Sequence, residues 1–321
     1  MKETSNPVSI GCDWGSSNFR LVLLTEDCRV LAAYDDDGGI LSLRQGGADE
    51  EGLIRHLREG LNALANACGM ELTGLPVVIS GMAGSTLGIR DVPYVSLPFR
   101  PGDGGVALFD AGPLSGISNP VYIVPGVCGP EDVMRGEETE AAGLMECLAG
   151  KEAIMILPGT HSKHLVIRDG RICDFRTYMT GELFRVIASD TILARVLEDP
   201  KDDPFDDHGR DCFLEGIRMS GSSDLLHALF TLRSRVLLNR IMVRGNIHRL
   251  SGLLIGAELR GLSSEPVYPL IVGGTGNLYE RYRIAVEHLF GVDRVMEIPV
   301  STRRMAVWKG QHLMIFIKGN R

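Results

Sequence analysis

Asp13-Trp-Gly-Ser-Ser-Asn-Phe-Arg-Leu-Val-Leu23 and Leu157-Pro-Gly-Thr-His-Ser-Lys-His-Leu-Val-Ile167 repeat one design far apart in the chain. In each, an apolar run (Val8 to Cys12, Ala153 to Leu157) meets a glycine and hydroxyl residues, and a second apolar run follows. Gly15 corresponds to Gly159, Ser16 to Thr160, Leu21 to Leu165 and Val22 to Val166. Such a turn bares backbone N–H groups and hydroxyls, the groups that cradle phosphate. Two at matching places argue for two related lobes facing one polyphosphate.

Outward from the first turn, Val8–Cys12, Phe19–Leu24 and Arg29–Ala33 read as short strands, the last two joined by a hairpin. Leu53, Leu57, Leu61 and Leu64 recur at helical spacing and predict a helix over 50–67. Pro76 to Ile79 is a strand that runs into Ser80-Gly-Met-Ala-Gly-Ser85, a flexible turn; residues 97–120 read as irregular connection, and Val121–Val124 as a strand. The helix after Met134 concentrates acid in its first turn, where the dipole favours it. A strand, the second phosphate-type turn and a hairpin turning at Asp169-Gly170 follow. Helices are expected at 181–197, 210–220, 223–240, 246–260 and 277–290, with Leu225, Leu229, Leu232 and Val236 as one core stripe. The acidic stretch 198–211 reads as a solvated loop.

The 321 residues fit about two domains. A 44% hydrophobic and 23% charged composition is that of a globular protein. The net charge of −8 opposes nucleic-acid and anionic-membrane partners, though not an anionic substrate held by a local basic site. Seven cysteines without a C-x-x-C pair, mostly in apolar runs, predict reduced, buried thiols. No leader or membrane-spanning stretch is legible, so a cytoplasmic protein is expected.

Five constellations offer chemistry. Asp13, two residues before the first turn, suits a Mg²⁺ held beside the β- and γ-phosphates; the alternative is an Asp capping a turn. Ser16, Ser17, Asn18 and Arg20 complete that turn around Gly15. Gly159-Thr160-His161 is the second cradle, with Leu157 in place of Asp13; Lys163 reads either as a phosphate contact or as a solvated lysine. Gly136-Glu137-Glu138 opens a helix where a carboxylate can take a proton from an attacking hydroxyl, or merely complement the dipole. Gly273, Gly274 and Gly276 between a strand and a helix admit a flat or anionic ligand. Arg135 and Arg176 are candidates for a substrate carboxylate. There is no G-x-x-x-x-G-K-[ST], G-x-G-x-x-G, H-E-x-x-H or G-x-S-x-G, which disfavours P-loop, Rossmann, zincin and serine-hydrolase chemistry.

In element order the chain resembles the sugar kinase/heat-shock ATPase/actin superfamily. Within it the chain is similar to the 2-dehydro-3-deoxygalactonokinases, through Asp13–Arg20, Ser80–Ser85, Met134-Arg-Gly-Glu-Glu-Thr-Glu140, Leu157–Lys163, Asp174-Phe-Arg-Thr-Tyr-Met-Thr-Gly-Glu-Leu183 and Leu250-Ser-Gly-Leu-Leu-Ile-Gly-Ala-Glu258. The resemblance implies an α/β fold of two ribonuclease-H-like, actin-like ATPase lobes, residues 1–134 and 135–321, with a nucleotide cleft between them. It implies ATP and Mg²⁺ as cofactors and transfer of the γ-phosphate to the 6-hydroxyl of 2-dehydro-3-deoxy-galactonate.

Related kinases open the helix before the second turn with Gly-Asp; Gly136-Glu137 stands in that place, making Glu137 the expected base and Glu138 its reserve. Gly81, Met82, Gly84 and Ser85 are expected near the substrate hydroxyls. Val272 stands where many relatives have Asp before the paired glycines. The tail 301–321 lacks the familiar small-residue pattern of the last helix, which is expected on the first lobe. The expected partners are the sugar acid and ATP, with no nucleic acid or membrane, and a homodimer as the assembly. The rivals are a phosphatase of the same fold and a non-catalytic nucleotide sensor.

Overall fold

The apolar run before Gly15 forms β1 (Pro7–Trp14), and the turn after it leads into β2 (Phe19–Thr25) and β3 (Val30–Asp36). This is the start of a computed structural model that describes residues 6–101, 108–199, 201, 203–222, 224–264 and 268–319. Residues 1–5, 102–107 of the expected irregular connection, and 200 and 202 of the acidic stretch lie outside the described residues.

Two helices follow, α1 (Ile40–Gln45) and α2 (Glu50–Cys68). In α2, Asp49 caps the first turn by accepting from Gly52 N–H at 2.8 Å, and Gly69 ends the helix in a left-handed conformation. Its leucines 53, 57, 61 and 64 are buried against the sheet, each contributing roughly 1.5–3 kcal/mol. Short strands complete this part of the chain: β4 (Val77–Gly81), β5 (Val95–Ser96), β6 (Phe109–Asp110), β7 (Val121–Ile123), β8 (Val127–Cys128) and β9 (Val133–Met134), before α3 (Glu137–Met145). The six-stranded sheet runs β3-β2-β1-β4-β7-β6, with β1–β4 and β4–β7 parallel.

The chain then repeats the pattern with β10 (Ala153–Leu157), β11 (Ser162–Arg168) and β12 (Arg171–Tyr178). Asp169 and Gly170 both take positive φ, as the tight hairpin between β11 and β12 requires. Helices α4 (Thr180–Asp190), α5 (Asp207–Met219), α6 (Leu225–Leu237) and α7 (Asn246–Arg260) precede β13 (Leu270–Val272) and α8 (Gly276–Phe290). The second sheet runs β12-β11-β10-β13, with β10 and β13 parallel. Its order matches β3-β2-β1-β4, so the sequence repeat is a repeat of topology. Helices α9 (Val300–Arg304) and α10 (Ala306–Gly319) close the chain.

By its internal contacts the chain forms two compact units. The first takes in Met1–Lys151, Ile167–Phe175 and Ser301–Arg321; the second takes in Glu152–Val166 and Arg176–Val300. Helix α3, which the sequence division at 134/135 puts in the second lobe, therefore packs inside the first unit.

Three expectations are corrected. The stretch 198–211 is not a solvated loop throughout: α5 starts at Asp207, capped by Asp206, and Asp203 is buried because its carboxylate accepts from Gly245 N–H at 2.6 Å. The thiols are all free, yet only Cys12 and Cys212 are buried; the other five are half-buried. The tail does use small residues: Gly143 of α3 meets the Ala306 backbone and Gly310 of α10 meets the Thr139 backbone. Gln311 then reaches beneath the first sheet, donating to the Cys12 carbonyl at 2.7 Å and to Ser80 Oγ at 2.8 Å.

A Cβ at Gly143 or Gly310 would overlap a backbone oxygen on the facing helix. Each of Gly143→Ala and Gly310→Ala should lower the stability of the whole chain by about 1–3 kcal/mol in urea denaturation, through overpacking. Unchanged midpoints would show that α10 is not seated on α3 in solution.

Candidate active site

In the first unit, the ends of β1 and β4 and the start of α3 come together. Gly81 has a φ of 94° and Gly136 a φ of 113°, conformations that side chains resist. A Cβ on Gly81 would lie 2.5 Å from the Trp14 carbonyl oxygen, and one on Gly136 would lie 3.4 Å from Gly81 Cα. The missing side chain of Gly81 and the positive φ of Gly136 together bring Asp13, Ser80 and Glu137 into one locality.

Asp13 faces Arg20 across the β1–β2 register, and Arg20 Nη2 donates to Asp13 Oδ2 at 2.6 Å. Burial pushes the Asp13 carboxyl up, Arg20 pulls it back and the nearby Glu137 charge adds to the rise. The turn between the strands is held from within. Gly15 N–H donates to the Asn18 carbonyl at 3.0 Å, and N–H groups at the start of α1 donate to the Gly15 and Ser16 carbonyls. Trp14, fully buried against Phe19, donates from Nε1 to the Gly38 carbonyl at 2.9 Å. Ser16, Ser17 and Asn18 stay exposed.

The two glutamates differ. Glu138 is fully buried, accepting from Gly136 N–H at 2.7 Å and from Thr139 Oγ1 at 3.0 Å. Burial, and then the Glu137 charge, push its carboxyl up to about 7. Glu137 is only half-buried and accepts from Arg135 N–H at 3.1 Å. Arg135 stacks 4.4 Å over the Tyr94 ring and donates from Nη2 to the Val92 carbonyl at 2.8 Å. Its Nε and Nη1 are buried without a partner among the described residues, and Nη1 takes the space that a Cβ on Gly84 would need. Ser85 spends its hydroxyl locally, donating to the Met82 carbonyl at 2.7 Å.

In the second unit, Gly159 lies two residues beyond the equivalent strand β10. Its turn is pinned by α4, where Gly181 lies against the Gly159 carbonyl and Glu182 N–H donates to the Thr160 carbonyl at 3.0 Å. His161 Nε2 is 2.6 Å from Glu182 Oε2 at the surface. Lys163 is not a solvated lysine: it is buried, and Nζ donates to the His161 carbonyl at 3.1 Å. Beneath the turn lies Glu258 of α7, also buried. It accepts from Ser162 Oγ at 2.8 Å, Tyr282 OH at 2.7 Å and Thr180 Oγ1, and lies 2.7 Å from His164 Nε2. Burial alone would raise its carboxyl; these donors outweigh burial and hold it below the usual range.

Beside Gly159 opens a cavity of about 270 Å³, lined by Phe184, Ile247, Leu254 and Leu278, with Ser251, Asn277, His248 and Arg281 among its polar groups. Arg281 stacks 4.1 Å over Phe205, and its Nη2 is 3.1 Å from His248 Nδ1. Burial brings Arg281 down to about 10. Gly273, Gly274 and Gly276 follow β13, whose Val272 pairs with Ile156, and lead into the α8 N-terminus next to this cavity.

Of the expected residues, the structure gathers Asp13, Gly15, Arg20, Gly81, Gly84, Arg135 and Glu137 in the first unit and Gly159, Thr160, His161 and Lys163 in the second. Arg176 is exposed at the end of β12. The sequence reading missed Glu258, Arg281 and the cavity lining. For Glu258 a signal existed, because a lone carboxylate in the apolar run Leu253-Leu-Ile-Gly-Ala-Glu-Leu must be buried and partnered. Arg281 carries no such signal.

Residues 13–307 match the model of the 2-keto-3-deoxy-galactonokinase family. A protein of Rhizobium meliloti (strain 1021) assigned as a 2-dehydro-3-deoxygalactonokinase is 30% identical over 92% of this chain and 96% of its own. The 2-dehydro-3-deoxygalactonokinase of Escherichia coli (strain K12) is 30% identical over 87% of this chain and 89% of its own. Among solved structures, a crystal structure from Sinorhizobium meliloti with the same assignment superposes with a TM-score of 0.78 at 29% identity, covering 94% of each chain. The activator of 2-hydroxyisocaproyl-CoA dehydratase from Clostridium difficile, with bound ADPNP, shares the fold at a TM-score of 0.51 and 13% identity over 97% of this chain and 96% of its own. The repeated turn, the duplicated sheet and these matches across nearly the whole length agree: the chain belongs to the 2-keto-3-deoxy-galactonokinase family of sugar-acid kinases.

Proposed function

We propose that this chain transfers the γ-phosphate of ATP to the 6-hydroxyl of 2-dehydro-3-deoxy-galactonate, with Glu137 as the general base. The observation that carries this reading is the meeting of Asp13, Glu137 and Arg135 around the Gly81–Gly136 contact. Glu137, half-buried and positioned by the Arg135 N–H, takes the proton from the 6-hydroxyl. The hydroxyl oxygen then forms its bond to phosphorus as the bond to the leaving ADP oxygen breaks. Glu138, fully buried and bound to its own helix start, holds the geometry instead of reaching substrate. The guanidinium of Arg135, with two donors that no described residue takes, is the seat for the substrate carboxylate, and Arg176 is a second candidate.

In the first unit the exposed Ser16, Ser17 and Asn18 beside Gly15 serve as phosphate contacts, and in the second unit the Gly159–His161 turn does so, with Lys163 behind it. The cavity beside Gly159 takes the nucleoside, with Gly273, Gly274 and Gly276 along its approach. A Mg²⁺ fits Asp13, since this ion uses one or two carboxylates plus phosphates instead of a protein cage. Among the described residues no three His, Cys, Asp or Glu side chains gather in such a cage. When bound, the ion neutralises phosphate charge. No described helix is long and apolar enough to cross a membrane. The seven unpaired thiols support action in the reducing cytoplasm.

A coupled assay of ADP release tests this reading. ADP should form only with a 2-keto-3-deoxy sugar acid, and faster with the galactonate-derived than the gluconate-derived epimer. Phosphate released without sugar would instead identify a phosphatase. Asp13→Ala should abolish turnover with an unchanged circular dichroism spectrum. Glu137→Gln should lower kcat by about 10²–10⁴-fold while the KM for ATP stays near its wild-type value; an unchanged kcat would move the base elsewhere.

The raised Glu138 carboxyl has a sign that stability measurements can read. The folded state keeps this proton up to about pH 7, whereas the unfolded chain loses it near 4.5. Stability should therefore fall as pH rises through that window, by about 3 kcal/mol in total. Glu138→Gln should flatten this slope in urea titrations at pH 5 and pH 8. Glu258 should behave differently, because four side chains depend on its charge. Glu258→Ala should cost about 3–5 kcal/mol and raise the KM for ATP through the loosened Gly159 turn, without shifting the KM for the sugar acid.

A further inference from the structure

We propose that the outer face of α6 is the contact surface of a homodimer, in which α6 packs antiparallel on α6 of a second copy. One side of this helix serves the core of the second unit: Ala228 and Leu232 are fully buried, and Leu225, Leu229 and Val236 pack against the same cluster. The opposite side is apolar as well. Leu226 is 82% exposed, Phe230 57% and Leu237 61%. At helical spacing these three fall within about 40° of one line along the helix. Leu238 and Met242, just past the helix end, extend the patch at 59% and 65% exposure. Ile192, at 54%, is tied beside α6 by Arg233, whose Nη1 donates to the Ile192 carbonyl at 3.4 Å. A helix face destined for water carries polar residues along such a line.

The pattern along α6 is complementary to itself. A two-fold axis midway between Phe230 and Arg233 sets Leu226 against the partner's Leu237, and Phe230 against the partner's Arg233. Each contact occurs twice, as an isologous interface demands. The Phe230–Arg233 contact joins an aromatic face to a guanidinium. The same axis brings the acidic N-terminal end, with exposed Asp224, beside the basic C-terminal end, with exposed Arg240. Antiparallel helices also set their dipoles in the favourable sense. The six apolar side chains offer on the order of 500 Å² per copy, so the pair buries about 1,000 Å², the size at which specific interfaces begin. A bare patch of that size marks an interaction surface on a soluble protein.

Sedimentation of the full chain through the micromolar range, beside two kinds of variant, tests the proposal. The wild type should be a dimer. Leu226→Asp should weaken dimerisation by at least about tenfold with unchanged circular dichroism and unchanged turnover per chain. Phe230→Glu, which places a carboxylate opposite the partner's Arg233, should keep the dimer better than Phe230→Lys does. A wild type that stays monomeric, including one whose patch instead binds lipid vesicles or another protein, overturns the proposal. So does a dimer that Leu226→Asp and Phe230→Lys leave intact. Equal losses in the two Phe230 variants overturn the antiparallel register.

Discussion

Three backbone segments meet at Gly81, where a Cβ has no room beside the Trp14 carbonyl, and at Gly136, whose φ of 113° side chains resist, and the first unit is arranged around that meeting. Strand β1 delivers Asp13, β4 ends at Gly81 and α3 begins at Gly136. A Cβ on Gly81 would run into the Trp14 carbonyl, and both glycines hold positive φ. The consequence is electrostatic as well as steric. Asp13 and Glu137 come close enough for their charges to interact, and Glu138 is driven into the interior beneath them. The arrangement holds two acidic groups near each other, at the cost of a third carboxyl that keeps its proton to about pH 7.

The second unit uses the same strand order for a different end. Where β1 ends with a carboxylate, β10 ends with the buried Leu157, so its turn has no acid of its own. Its carboxylate lies below the turn: Glu258 gathers Ser162, His164, Thr180 and Tyr282, groups drawn from β11, α4 and α8. Such a hub is stable only when every partner is present, because an unpaired buried charge is costly. Thr180 and Tyr282 also line the cavity beside Gly159. One buried carboxylate therefore supports both the Gly159 turn and the wall of the adjoining pocket.

Much of this was legible in the chain because it rests on local chemistry. Glycine followed by hydroxyls between apolar runs marks both turns, Asp169-Gly170 marks a hairpin, and the leucines of α2 mark a helix face. What escaped depends on distant residues. Asp203 reads as one more acid in a solvated stretch, and Gly245 and His248, far along the chain, explain its burial. The tail shows no small-residue signature until Gly310 meets Thr139 and Gly143 meets Ala306 across two helices. Lys163 looks like a surface lysine because nothing local shows that its strand is buried. Arg281 depends on Phe205 and His248, from two other elements. Periodicity and turn chemistry carry the frame; the polar interior follows from packing that no single segment encodes.

In the proposed reaction the positive φ of Gly136 sets where the start of α3 holds Glu137. The most direct test is the rate of phosphoryl transfer by Gly136→Ala, measured with nucleotide affinity by calorimetry. Alanine resists the φ of 113° found there, so the start of α3 should shift and carry Glu137 away from Asp13. The account predicts a rate lower by about 100-fold or more, with nucleotide affinity within a few-fold of the wild type. A variant that binds nucleotide and transfers phosphate at the wild-type rate would contradict it.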